Sequence, residues 1–172
     1  MTLGSDSVVS VKQRGETIII GDLIFWAYLV LVSATLALLE IQIEGANGWA
    51  KCLPTWRMEN KLTRMIMGGK PLTGYHVFLI AFVVLLAHIP YFLGLAIPSV
   101  PIELRLISFI ILLFIIEDFL WFVLNPAYGI KKFKPKYIWW HASSWWWIMP
   151  RDYYVFGLIG VFLYYISQIL QK

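Results

Sequence analysis

A single cysteine, Cys52, stands in the chain, which excludes an intrachain disulfide and any CxxC metal site. Histidine is nearly as scarce, with only His76, His88 and His141. No HExxH, HxxxH or ExxH spacing joins them, so the compact helical metal motifs are missing. Charge is thin as well: charged residues make up 14% of the sequence, against about 25% in soluble domains, while hydrophobic residues reach 60%. A soluble domain of 172 residues cannot hide so much apolar surface, which leaves lipid as the solvent. The net charge of +4 is modest and spread along loops, which argues against nucleic acid as a partner.

What the sequence does contain is long apolar runs. Four of them, about residues 18–43, 75–97, 102–124 and 153–170, approach or exceed the roughly 20 residues a helix needs to cross a bilayer. None alternates apolar with polar residues, so strands are not expected. The predicted fold is therefore all-α: an integral membrane protein of four transmembrane helices in an antiparallel bundle, forming a single polytopic membrane domain over residues 1–172. Val32-Ser33-Ala34 loosely matches a small-residue cleavage site, but the apolar run continues past it through Leu39, so an uncleaved first span is expected. Pro98-Ser99-Val100-Pro101 reads as a tight turn, and Pro90 as a kink in the second span.

The connections are unequal in charge. Lys51, Arg57, Lys61, Arg64 and Lys70 lie between the first two spans; Lys131, Lys132, Lys134, Lys136 and Arg151 lie between the last two. Only Lys12, Arg14, Arg105 and Lys172 fall on the other side. This bias predicts cytoplasmic long loops and outside termini, in the cell membrane. Both loops read as interfacial. In the first, Pro54 can open an amphipathic helix to Met67, closed by Gly68-Gly69, with Trp56, Leu62, Met65 and Ile66 on its apolar side. In the second, Trp139, Trp140, Trp145, Trp146 and Trp147 follow four lysines, as expected of a headgroup anchor in contact with membrane lipids.

The polar residues within the spans carry the functional expectation. An ionised side chain facing hydrocarbon costs about 2.5–3.5 kcal/mol even on insertion scales, so such groups face inward and mark function. Glu40 and Glu44, four residues apart, share a helix face at the end of the first span. His76 begins the second, Glu117 and Asp118 lie about two turns before the end of the third, and His141 sits in the aromatic loop. Topology thus gathers Glu40, Glu44, His76, Glu117, Asp118 and His141 in one layer, a set of N and O donors suited to Fe, Mn or Zn. Glu117 and Glu40 are the catalytic candidates, and Arg57, Trp49 and Asn125 are candidate substrate contacts.

The leading expectation is a metal-dependent membrane hydrolase or oxidoreductase acting on a lipid or isoprenoid-like amphiphile, a hydrophobic small-molecule substrate. Two alternatives stand beside it. One is a proton- or ion-coupled transport unit using Glu40, Glu117 and His88, in a homo-oligomer; the other is an accessory subunit whose buried acids pair with a partner chain. His88, about 18 Å along the second span from His76, is expected to bond a carbonyl near Pro90.

Overall fold

The computed structural model describes residues 5–67 and 69–171, with side chains from residue 20 onward except Ile66. Gly68 and Lys172, and the side chains of Lys12, Arg14 and Ile66, lie outside the described residues. The chain is mostly helical, and three helices are long and apolar enough to cross a membrane: Ile20–Glu44, Val100–Leu124 and Arg151–Leu170.

The first of these is part of α1, Ser5–Glu44, which extends well before the apolar run. It stops where Gly45 takes a φ of +63° and its N–H reaches Ile41 O at 3.0 Å, a left-handed cap that glycine adopts without steric cost. Helix α5, Val100–Leu124, begins with Pro101 in its first turn, where proline's missing N–H is harmless. Helix α6 covers Arg151–Leu170. It packs along α5, as α1 does, and its Tyr164 reaches α1, with the ring 4.5 Å from Phe25 and Oη donating to Asp22. Small residues permit the approach: Ser108 Oγ donates to Gly160 O at 2.7 Å, Ser33 Oγ donates to Leu113 O at 3.2 Å, and Gly160 leaves no room for a Cβ beside Leu112. Outward faces carry exposed Leu23, Leu85 and Leu158, the reverse of a soluble domain's surface.

The expected second span, 75–97, is not one helix. Helix α3 runs Gly74–Ala87, and α4 covers only Ile89–Phe92. Pro90 has no N–H to give to Leu86 O, and its own carbonyl accepts from Leu95 N and Ala96 N, which closes α4. Fourteen helical residues rise about 21 Å, short of a ~30 Å core. His88 Nδ1 lies 2.7 Å from Val84 O beside this break, and its Nε2 is 3.1 Å from Glu103.

The two long connections fold over one end of α1 and α5. In the first, the expected helix from Pro54 to Met67 shrinks to α2, Lys61–Ile66. A capping box sets its start: Asn60 Oδ1 accepts from Thr63 N at 2.8 Å, and Thr63 Oγ1 accepts from Asn60 N at 2.9 Å. The residues before it form β1, Arg57–Met58, antiparallel to β2, Leu72–Thr73. Trp56, Leu62 and Met65 remain exposed, as an interfacial segment requires. The tryptophan-rich connection is divided between two roles. Ile138 and Trp140 are buried in an aromatic core with Trp121 and Phe122, the Trp140 ring stacked 5.6 Å from Phe122. Trp139, Trp146 and Trp147 stay exposed, the last two in the hairpin of β3, Trp145–Trp146, with β4, Met149–Pro150.

Candidate functional site

Beneath these connections lies a cavity of about 210 Å³ lined by Glu40, Glu44, Trp49, Lys70, His76, Glu117, Asp118, Trp121, Trp140 and His141, with Leu79, Ile80 and Phe114 completing the wall. All six expected donors therefore line one space. They come from α1, α3, α5 and the aromatic loop, because the ends of α1 and α5 and the start of α3 lie at the same level.

Each donor has its own protein partner. His141 Nε2 lies 3.0 Å from Asp118 Oδ2, which also accepts a close hydrogen bond from Tyr153 Oη. Glu44 accepts from Ala50 N, and its Oε1 lies 4.0 Å from His76 Nε2. His76 Nδ1 meets Thr73 Oγ1 at 2.6 Å, while Trp49 stacks on the His76 ring at 4.1 Å. Tyr75 Oη donates to Glu40 Oε1 at 2.9 Å, and the Glu40 carboxyl meets that of Glu117 across the α1–α5 contact. Two carboxyl groups in contact within an apolar wall need a proton or a cation between them.

Three of the four buried side-chain atoms without a hydrogen-bond partner among the described residues belong to this lining: Glu117 Oε1, Trp121 Nε1 and His141 Nδ1. Their residues are 5%, 3% and 5% exposed. Buried polar atoms are rarely left this way unless a ligand or water meets them. Burial also pulls the Lys70 ammonium below the ordinary lysine range, against the opposing pull of the Asp118 and Asp152 carboxylates. Its Nζ rests 3.9 Å from the centroid of the Trp49 ring.

The local backbone is shaped to this purpose. Gly48, Trp49 and Ala50 all take positive φ, and left-handed backbone at non-glycine residues costs about 1–3 kcal/mol each. The bonds from Ala50 N to Glu44 and from Trp49 Nε1 to Pro71 O at 2.8 Å hold the strained pair in place. Gly48 lies against the Trp140 ring, where any Cβ would collide.

Two expected substrate contacts are elsewhere. The Arg57 guanidinium is exposed and clamps backbone carbonyls of the preceding loop, Thr55 O at 2.9 Å and Lys51 O at 3.2 Å among them. Asn125 ties the two connections together, donating to Gly45 O at 2.8 Å and accepting from Ala127 N at 2.9 Å. Trp49 does line the cavity. Tyr75, which the sequence already places at this level, and Tyr153 are positioning residues; those missed from sequence are Lys70, Trp121, Trp140 and Tyr153. Both tyrosines stand at helix starts, Tyr75 next to His76; the burial of Lys70 left no trace in the sequence.

The donor set does not fit a metal as arranged. Among the described residues no group of three or more His, Cys, Asp or Glu side chains is placed to hold an ion. The reason is visible in the pairings above: the carboxylates and imidazoles turn to separate protein partners and do not converge on one point. No family model, curated protein or solved structure matches the chain.

Proposed function

We propose that this is an integral membrane enzyme that performs general acid–base chemistry on the polar head of a lipid or isoprenoid-like amphiphile. One observation carries the reading: Asp118 holds His141 by Nε2, while His141 Nδ1 and Glu117 Oε1, on residues that line one cavity, are buried without partners among the described residues. A carboxylate in this position keeps the imidazole proton on Nε2 and leaves the Nδ1 lone pair to take a proton. Glu117, backed by Glu40, exchanges the second proton. Asp118 and Tyr153 are positioning residues. Among the described residues no serine, threonine or cysteine lines the cavity, so His141 acts on a water molecule or on a hydroxyl of the substrate itself.

In this reading α3 and α4 together form a fourth crossing. Its start meets the Glu44 level through His76, and its end meets the beginning of α5 through His88 and Glu103, as a traverse of the bilayer would require. Ten of the 14 lysines and arginines then lie at the cavity end, nine in the connections and Arg151 at the start of α6, which favours the cytoplasmic face for it.

The test is the lipid composition of cells that express the protein. Wild type shifts one lipid class, read by mass spectrometry of extracts, whereas His141→Asn and Glu117→Gln, made in equal amount, leave the profile of cells without the protein. An unshifted wild type, or a shift retained by both variants, contradicts the proposal.

A further inference from the structure

Four carboxyl groups line the cavity, from Glu40, Glu44, Glu117 and Asp118, against one lysine, Lys70. Glu44 and Asp118 accept from protein donors and Glu40 from Tyr75, but Glu40 and Glu117 face each other and Glu117 Oε1 has no donor among the described residues. An ammonium group against them would supply the countercharge that this pair lacks and a donor for Glu117 Oε1. The wall beside it is aromatic, from Trp49, Phe114, Trp121 and Trp140, and ring faces attract such a cation.

The two remaining partnerless atoms are complementary. Trp121 Nε1 can only donate, and His141 Nδ1, with Nε2 bound to Asp118, is left to accept. A hydroxyl has the chemistry for either, accepting from the indole and donating to the imidazole. The volume is bounded too: about 210 Å³, the space of about seven waters at ~30 Å³ each, holds a small polar head and not a nucleotide. An outlet for a chain adjoins it. An apolar groove of about 600 Å³ runs along α3 past Trp56, Phe78 and Phe82; Leu79 lines both spaces, and Tyr75 in the groove donates to Glu40 in the cavity.

We infer that the cavity takes the head of a single-chain amino alcohol, with its ammonium between Glu40 and Glu117 and its hydroxyl between Trp121 Nε1 and His141 Nδ1. This rests on the amphiphile reading above and names its substrate class. The hydroxyl is then the group that His141 deprotonates.

The experiment is calorimetric titration of the whole protein in phosphatidylcholine nanodiscs, with empty nanodiscs subtracted. The probes are sphinganine, hexadecylamine, hexadecanol and palmitate. Sphinganine binds saturably, at least about tenfold more tightly than hexadecanol or palmitate, the scale of a charge-assisted hydrogen bond. Glu117→Gln removes that margin, and Glu59→Gln, in an exposed pair with Arg64, keeps it. If Glu117→Gln does not fold, Trp121→Phe decides: it keeps the ring, weakens sphinganine and leaves hexadecylamine unchanged. Equal or tighter binding of palmitate or hexadecanol overturns the inference, as does sphinganine affinity untouched by Glu117→Gln or, where that variant fails to fold, by Trp121→Phe. Sphinganine binding without any lipid change in cells upholds this inference and removes the enzyme reading alone; turnover of a lipid without an amine removes this inference alone.

Discussion

His141 and Asp118 meet at 3.0 Å, joining a residue of the aromatic loop to one inside α5. That bond makes the loop part of the site and not merely a membrane anchor. Asp118→Asn no longer dictates which imidazole nitrogen carries the proton, so the rate of the lipid change in isolated membranes falls by about 10²–10⁴-fold, the usual worth of a positioned acid–base group. Tyr153→Phe removes one neutral donor from the same oxygen and costs about tenfold or less. Equal rates in wild type and Asp118→Asn would show that the pair is structural only.

Gly48 and Gly45 offer a matched comparison, because both hold positive φ but only Gly48 abuts the Trp140 ring. Gly45→Ala meets open space and costs the backbone strain alone, about 1–2 kcal/mol. Gly48→Ala adds a collision with a buried indole, and thermal unfolding in detergent shows the larger loss. Trp140→Leu in the Gly48→Ala background recovers part of the difference; no recovery would place the cost elsewhere.

Lys70 gives a pH signature. Its folded value is lowered by burial while its unfolded value is near the ordinary ~10.4, so the folded state disfavours the charged form. The penalty is fully present below the folded value and is relieved as pH rises through it toward the unfolded one. Lys70→Met removes the penalty, so the stability gain over wild type is largest below the folded value and shrinks as pH rises toward ~10. The Trp49 ring beneath the ammonium offsets part of the effect. Melting temperatures of the two proteins across this range check the slope; a gain that grows with pH contradicts it.

His88 separates the enzyme reading from a proton relay. It pairs with Glu103, which also accepts from Tyr91 Oη at 3.1 Å, at the far end of the helices from the cavity. His88→Gln therefore leaves the lipid change within about twofold of wild type, well inside the 10²–10⁴ range expected for an acid–base residue. Loss of activity, together with pH-dependent flux in liposomes, would favour transport.

The layer of Glu40, Glu44, His76, Glu117, Asp118 and His141 was legible because chain direction alone brings those helix ends together, and charged groups within apolar runs stand out. What escaped depended on backbone detail. Arg57 looked free to bind a substrate, but its guanidinium closes on carbonyls of a loop that no periodicity announces. Trp139 and Trp140 are adjacent and identical in type, one exposed and one buried, and the one that packs inward meets Gly48, Trp121 and Phe122, contacts that no local pattern announces. In the second span, Pro90 pointed to a kink; the carbonyl bonds to Leu95 and Ala96 turned it into an end.

The most direct measurement is the nitrogen-15 histidine spectrum of the protein in nanodiscs, where three imidazoles are assigned by His76→Gln, His88→Gln and His141→Asn. The account predicts that the singly protonated His141 ring carries its proton on Nε2, and that Asp118→Asn mixes or reverses this preference. A proton found on Nδ1 of wild-type His141 would contradict it.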